Sequence, residues 1–254
     1  LVPQRSRGDG LLPLQVTGDD NWVRRIPHAE MPIQRNPERQ WVGSTNHRVT
    51  PDDYPYPYST HFSPRWRYTR LQQLMENPEF TAEDHWAANQ DMGNPMAQRL
   101  RPWLVELFEA DTELAPMAAV LADWTLEDRI DQAGPLIFQS VFRHLATAMF
   151  ADDMGDELLA DFLDQQYYWV ERFLFLLEQG DSRWVDDRRP EVVETSGDLA
   201  LRAGRLALAE LSAAWGDDPA DGRWGDEHTI TFYHPFLPGE KAARWLGGGV
   251  RPMN

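Results

Sequence analysis

The chain offers serine, histidine and carboxylate side chains for chemistry, and it contains no cysteine. A serine nucleophile on a strand-to-helix turn is typical of a Gly-x-Ser-x-Gly pattern, and no serine of this sequence lies in one. By residue type alone, each serine is better explained as a turn or helix-capping residue. The serines are Ser6, Ser44, Ser59, Ser63, Ser140, Ser182, Ser196 and Ser212.

The patterns of metal-ligating residues leave two alternatives open. The seven histidines form no His-Glu-x-x-His motif, which argues against a zinc hydrolase. His228 and His234 would share one face of a strand, where they could ligate a metal or serve packing and hydrogen bonding. Asp52 and Asp53 could bind calcium or form a solvated turn. The 41 acidic residues single out no glycosidase pair.

Composition limits the partners and the class of protein. A formal net charge of −17 repels nucleic-acid phosphates and anionic membranes, so we expect neither as a partner. A hydrophobic content of 42% over 254 residues suffices for a folded core. No apolar run is long enough to span a membrane, and the stretch from Leu1 to Gly10 does not resemble a secretory signal. The lack of cysteine leaves the compartment open.

The pattern of helical and extended segments predicts three regions within one partial domain. Residues 1–64 have no helical period, and pieces such as Leu11–Leu14 and Gln40–Val42 predict edge strands or extended loops. Residues 65–216 are helical. Residues 217–254 predict a loop, then a short strand over Thr229–His234 and a Gly-rich end. The fold class is therefore mainly α with short β segments near both ends.

Start and stop signals predict the helices. A helix begins at Arg65 and ends at Asn77-Pro78. Thr81 and Asp84 predict a capping box, and Asn94-Pro95 predicts an N-cap and first helical residue. Pro102 predicts a kink. Further helices are expected over Ala115–Trp124, Pro135–Phe150, Asp156–Gln179 and Gly197–Trp215, with a central buried helix over Leu159–Leu177.

One segment resembles a known family. It contains an Asn-Pro pair, an aromatic and aliphatic stretch, an asparagine and then a Tyr-Pro turn. It reads Asn36-Pro37-Glu38-Arg39-Gln40-Trp41-Val42-Gly43-Ser44-Thr45-Asn46-His47-Arg48-Val49, followed by Asp53-Tyr54-Pro55. With Arg67-Tyr68-Thr69-Arg70-Leu71 downstream and Trp224-Gly225-Asp226-Glu227-His228 near the end, this order is similar to that of the penicillin acylase family.

The resemblance implies an N-terminal nucleophile amidohydrolase with an αββα sandwich. Such enzymes cut their own precursor and use the new N-terminal serine as nucleophile, with its α-amino group as base. They cleave the amide bond between an acyl group and an amine. The resemblance assigns the oxyanion-stabilising asparagine to Asn46 and a supporting arginine to Arg67. By residue type alone, Asn46 could instead be a turn residue that bonds its own backbone. Arg67 could be a solvated residue at the start of a helix.

Several positions depart from the family pattern. Gln40 replaces a usual glycine, His47 replaces a second asparagine, and Thr125 replaces an aspartate. Tyr58 stands where some members carry a calcium-binding carboxylate, so a structural calcium is doubtful and no other cofactor is expected. Leu1 is not a nucleophile, and the chain resembles an interior part of the large subunit.

Three expectations follow from the resemblance. The chain's partners would be the remaining segments of the same precursor and a small-molecule amide substrate. The chain alone would be inactive, and its location would be the periplasm. The alternative function is a non-catalytic helical protein-interaction domain that uses aromatic-rich faces.

Overall fold

The computed structural model describes residues 2–77, 79–180, 182–186, 193–232 and 248–253. Two compact units are present. One comprises Leu1–Pro78 with Gln165–Arg172, and the other comprises Glu79–Asp164 with Phe173–Asn254. The single partial domain with three regions stays a prediction. Among the described residues, no helix combines the length and the apolar character needed to cross a bilayer.

The first unit is mostly extended chain with few regular elements. Strands β1 (Pro3–Arg5) and β2 (Trp22–Arg25) pair antiparallel, with a register shift between Gln4 and Arg5. A 3-10 turn follows over His28–Glu30, and helix α1 spans Trp66–Leu74. The stretches Leu11–Leu14 and Gln40–Val42 are extended loops, not strands. Prolines and left-handed residues break the backbone ladder here, so side chains must tie the loops together.

The second unit carries most of the helices. In chain order the helices that follow α1 are α2 (Ala82–Asn89), α3 (Pro95–Glu109), α4 (Ala115–Asp123), α5 (Gly134–Met154), α6 (Asp156–Asp164), α7 (Gln166–Gln179), α8 (Ser196–Trp215) and α9 (Trp224–Glu227). Strands β3 (Thr229–Phe232) and β4 (Gly249–Pro252) then form an antiparallel pair. Tyr233 and His234 of the predicted strand lie outside the described residues.

The predicted helix starts are confirmed. Thr81 accepts a hydrogen bond from the Asp84 backbone N–H while the Asp84 carboxylate accepts from the Thr81 N–H, which is a complete capping box. The Asn94 side chain accepts from the Ala97 N–H and Pro95 is the first helical residue. These contacts satisfy backbone donors that a helix start leaves without an internal partner. Pro102 lies inside α3, and the kink there stays a prediction.

The core of the second unit forms where α8 packs against α5 and α3, and α3 packs against α4. Phe108, Leu114 and Phe138 are fully buried in it. Burying each such side chain contributes about 1.5–3 kcal/mol. Gly204 of α8 permits the close approach, because a Cβ added there would lie 2.7 Å from the Phe108 Cζ.

The prediction of one helix over Asp156–Gln179 is wrong. Helix α6 ends at Asp164, and α7 begins after Gln165, whose carbonyl accepts from the Tyr168 N–H. The polar run Asp164-Gln165-Gln166 marks the break. The predicted central buried helix over Leu159–Leu177 is therefore also wrong, and Tyr168 within it is 59% exposed. Hydrophobic periodicity shows that each piece is helical but does not show that the helix is interrupted at Gln165.

The fold class is confirmed at its coarse level, because the described chain is mainly helical with short strands near both ends. The strands form two separate two-stranded sheets among the described residues. The αββα sandwich stays a prediction.

Candidate functional site

Asn46 lies on an exposed loop of the first unit that ends before α1. Its backbone is left-handed, with φ of 66°. Asparagine tolerates this conformation better than most residues. The loop is tied across its base, because the Asn46 carbonyl accepts from the Ser63 N–H at 2.8 Å. The left-handed turn directs the Asn46 side chain toward the start of α1.

Arg67, in the first turn of α1, brings the two predicted site residues together. Its Nη2 donates to the Asn46 Oδ1 at 3.0 Å and to the Thr45 carbonyl at 2.8 Å. The same nitrogen lies 3.2 Å from the buried Ser63 Oγ, which accepts from it. One guanidinium therefore holds a backbone carbonyl and two side chains in a fixed arrangement. The contact spans 21 residues of sequence.

This contact fixes the direction of the Asn46 amide. With Oδ1 accepting from Arg67, the amide Nδ2 and its two N–H donors face away from the guanidinium. Within the part of the chain that the structure describes, no residue accepts a hydrogen bond from Nδ2. An exposed donor with a fixed orientation can receive a developing negative charge.

Next to Asn46 and Arg67 lies a cluster of aromatic and cationic side chains that the sequence did not predict. The buried His47 ring stacks on Tyr68 with centroids 3.6 Å apart and planes at 19°. The Arg39 Nη1 donates to the Tyr68 hydroxyl at 2.5 Å, and the Arg39 guanidinium lies 4.1 Å from the Trp41 ring centroid. His47 and Tyr68 are the sequence neighbours of Asn46 and Arg67, which was the available signal.

Burial and nearby positive charges favour the neutral form of His47. Burial lowers the pKa of the His47 imidazole, and the positive charges of Arg65 and Arg39 lower it further, against a smaller opposing effect of Glu171. The hydrogen bonding agrees, because the Thr45 N–H donates to the His47 Nδ1 at 3.4 Å. A nitrogen that accepts a hydrogen bond carries no proton, so the bond from the Thr45 N–H forms with the neutral ring, and the Thr45 Oγ1 lies 3.5 Å from the same Nδ1.

The remaining histidine prediction favours packing over metal binding. The His228 Nδ1 lies 2.7 Å from the Met253 carbonyl, and its ring stacks on Trp224 at 4.5 Å. His234 lies outside the described residues. Near His228, burial raises the pKa of Asp128, whose carboxylate accepts from the Asn94 side chain. Within the described ranges, no group of three or more histidine, aspartate and glutamate side chains is placed to hold a metal ion.

The acidic pair before Tyr54 forms a turn. The Tyr54 N–H donates to the Pro51 carbonyl at 3.2 Å, and Asp52 makes an exposed ion pair with Arg48 at 3.4 Å. Tyr58 packs edge-on to Tyr54 with centroids 6.5 Å apart. These contacts describe a solvated turn with an aromatic lining. The doubtful structural calcium stays a prediction without a described ligand set.

Among the serines, two support neighbouring structure in ways that fit the turn and capping explanation. The Ser196 Oγ donates to the Leu177 carbonyl at 2.7 Å, and the Ser44 Oγ accepts from the Asn46 N–H at 3.4 Å.

Comparison of the sequence with known proteins identifies a family. The family model described as penicillin amidase matches residues 1–254. Penicillin acylase 2 proenzyme from Pseudomonas sp. (strain SE83) is 33% identical over 241 residues, which is 92% of this chain and 30% of that protein. Acyl-homoserine lactone acylase QuiP from Pseudomonas fluorescens (strain Pf0-1) is 21% identical over 249 residues, or 89% of this chain and 30% of that protein. The chain thus spans under a third of the curated relatives it matches.

Proposed function

Because the chain belongs to the penicillin amidase family, we propose that it is part of an acylase that hydrolyses the amide bond between an acyl group and an amine. In this proposal Asn46 donates a hydrogen bond to the oxyanion of the tetrahedral intermediate. Arg67 holds the Asn46 amide in place. The names of both relatives are those of acylases, which supports the reaction class.

The observation that carries the proposal is the contact between the Arg67 Nη2 and the Asn46 Oδ1 at 3.0 Å. An asparagine in solution rotates freely about its side-chain bonds, and a donor that must be ordered during the reaction stabilises the transition state less. Here a cation holds the acceptor end of the amide, so the donor end is oriented before substrate arrives. The guanidinium also polarises the amide, which favours a stronger N–H donor.

The expected contribution of such a donor is about 3–4 kcal/mol of transition-state stabilisation, or roughly a hundred- to thousandfold in kcat. Attack on an amide carbon converts the carbonyl oxygen from a neutral acceptor into an anion. An N–H donor binds this anion more strongly than it binds the neutral carbonyl of the substrate. Loss of the donor should therefore lower kcat more than it raises KM.

Other parts of the machinery belong to segments outside this chain in this proposal. The nucleophile would be the N-terminal serine of the large subunit, with its own amine as base. The partners would be the remaining segments of the precursor, which complete the αββα sandwich in the periplasm. The word proenzyme in one relative's name supports a processed precursor. Exposed Leu12, Val16 and Trp22, at 80%, 72% and 71% exposure, fit a surface that another segment covers.

The proposal is tested by Asn46→Asp in the full-length parent protein. Aspartate has nearly the same shape and keeps an oxygen for Arg67, so the loop stays tied. It lacks the N–H donor and places negative charge beside the oxyanion. We expect kcat for an acyl-amide substrate to fall at least a hundredfold with little change in thermal stability.

The matched control is Asn36→Asp. Asn36 is also exposed and left-handed, with φ of 46°, but has no role in the proposed site. This control should retain the parent's kcat. Equal activity of Asn46→Asp and Asn36→Asp would contradict the role of Asn46. A parent that cleaves no acyl amide at all would instead favour the interaction-domain function.

A further inference from the structure

The His47 imidazole is connected to the Asn46 amide through a short path of hydrogen bonds. The His47 Nδ1 accepts from the Thr45 N–H at 3.4 Å. The carbonyl of Thr45 accepts from the Arg67 Nη2 at 2.8 Å, and this nitrogen also donates to the Asn46 Oδ1. Thr45 therefore lies between the imidazole and the guanidinium. A change at His47 therefore reaches the Asn46 side chain through two residues, Thr45 and Arg67.

The ring of His47 has little freedom to move away from a change in its own charge. It is buried and stacked on Tyr68, which follows Arg67 in α1. Tyr68 is held from its other end, because its hydroxyl accepts from Arg39. The Arg39 Nε donates to the Trp41 carbonyl at 3.0 Å, which ties this arginine to the same loop.

The charged surroundings oppose a second proton on the ring. Arg39, on the loop, and Arg65, at the start of α1, lower the pKa of His47 together with burial, which is the largest cause. Glu171 of α7 is the opposing charge, and it is already engaged as the acceptor for the Arg65 N–H at 2.6 Å. Among the described residues, hydrogen bonds and ring contacts also place the Tyr68 phenol and the Arg67 guanidinium in this cluster.

We propose that neutral His47 is a positioning residue for the Asn46–Arg67 pair, and that its protonation disables the oxyanion donor in acid, an inference that rests on the proposed function above. Protonation turns Nδ1 from an acceptor into a donor that faces the Thr45 N–H. The two N–H donors repel, and the Thr45 Oγ1, 3.5 Å from Nδ1, becomes the acceptor instead, so Thr45 moves and its carbonyl withdraws from Arg67. The guanidinium then no longer fixes the Asn46 amide.

The kinetic test compares the full-length parent with its His47→Asn variant over a range of pH. Other groups, including the N-terminal amine, also titrate, but they titrate in both proteins. The informative quantity is the ratio of the parent's kcat to that of the variant. We expect this ratio to be constant at neutral pH and to fall about tenfold per pH unit below the pKa of His47. KM should change less than kcat, because the donor acts on the transition state.

The control variant is His28→Asn, which makes the same chemical change at an exposed histidine of the same unit. Its ratio to the parent should stay flat with pH. Two variants of Tyr68 separate the effect of ring stacking from that of the hydroxyl. Tyr68→Phe keeps the ring, so the pH midpoint of the acid transition of kcat should stay the same. Tyr68→Leu removes the ring, so this midpoint should rise toward that of an exposed histidine. A parent-to-variant ratio for His47→Asn that is also flat would overturn the proposal.

A spectroscopic readout keeps this test separate from the acylase proposal. In the deuterated parent with labelled histidine and asparagine, the Asn46 side-chain amide resonance should shift with the same midpoint as the His47 ring carbon. The missing signal in Asn46→Asp assigns the resonance. An Asn46 amide that does not follow the His47 titration would overturn the coupling, whatever the activity. An amide that does follow it, in a protein without acylase activity, would support the coupling and reject the proposed function.

Discussion

Gln40 carries a backbone strain that a single substitution should relieve. Its φ is 59°, in the left-handed region. That conformation costs a residue with a Cβ about 1–2 kcal/mol. Glycine avoids the clash but loses about 0.5–1 kcal/mol more conformational entropy on folding. Gln40→Gly should therefore stabilise the local loop by about 0.5–1 kcal/mol.

The side chain gives no offsetting loss, because Gln40 is exposed. Its backbone N–H donates to the Pro37 carbonyl at 2.9 Å and closes the turn that leads into Trp41. Native-state hydrogen exchange by mass spectrometry on peptides over residues 37–47 measures the opening of this loop. A gain of this size should slow exchange roughly two- to fivefold.

Two variants decide whether backbone strain is the cause. Gln40→Ala removes the same side chain but keeps a Cβ at positive φ, so its exchange should match that of the parent. Asn36→Gly, at another left-handed position, should gain less because asparagine tolerates that conformation. If Gln40→Ala slows exchange as much as Gln40→Gly, or if Gln40→Gly speeds it, the strain argument is refuted.

Two further predictions concern pH and packing. Hydrogen bonds from Arg7 and from the Thr17 backbone lower the pKa of Asp20 to about 2. The stability that these bonds give the first loop is therefore fully present above the ordinary aspartate pKa of about 4. It is lost as the pH falls toward 2. A carbon-13 titration of the Asp20 carboxyl should show this midpoint, and Arg7→Gln should raise it; an unchanged midpoint would argue against the ion pair. Gly204→Ala should destabilise the chain by about 1–2 kcal/mol in urea unfolding, because overpacking outweighs the gain in helix propensity. Gly197→Ala is the control in the same helix, because a Cβ there would meet its nearest side-chain atom at 3.6 Å. It should leave the free energy of unfolding unchanged or raise it. Equal losses of stability in the two variants would contradict the packing argument.

Local signals predicted the helices of the second unit well. The capping box at Thr81 and the Asn94-Pro95 start act through backbone groups only a few residues away, so sequence neighbours suffice to identify them. The break at Gln165 could not be predicted in the same way. Each side of it has a helical pattern, so periodicity alone does not locate the residue at which the helix is interrupted.

The candidate site could be predicted only in part. Family resemblance named Asn46 and Arg67, and no local rule would have joined residues 21 apart in sequence. The left-handed backbone at Asn46 and the Tyr68 stack on His47 arise from loop geometry that periodicity does not encode.

The most direct test of the central proposal is the composition of the native protein. Intact mass and N-terminal sequencing should be measured for every chain in a preparation purified from its source with an antibody against this chain and assayed for acylase activity. We expect the chain that carries Trp41 to Arg67 to begin with serine and to be accompanied by a smaller chain. An active preparation in which no chain begins with serine, threonine or cysteine would contradict the proposal. So would a folded, isolated chain of 29.3 kDa with no companion and no activity, which would favour the interaction-domain function.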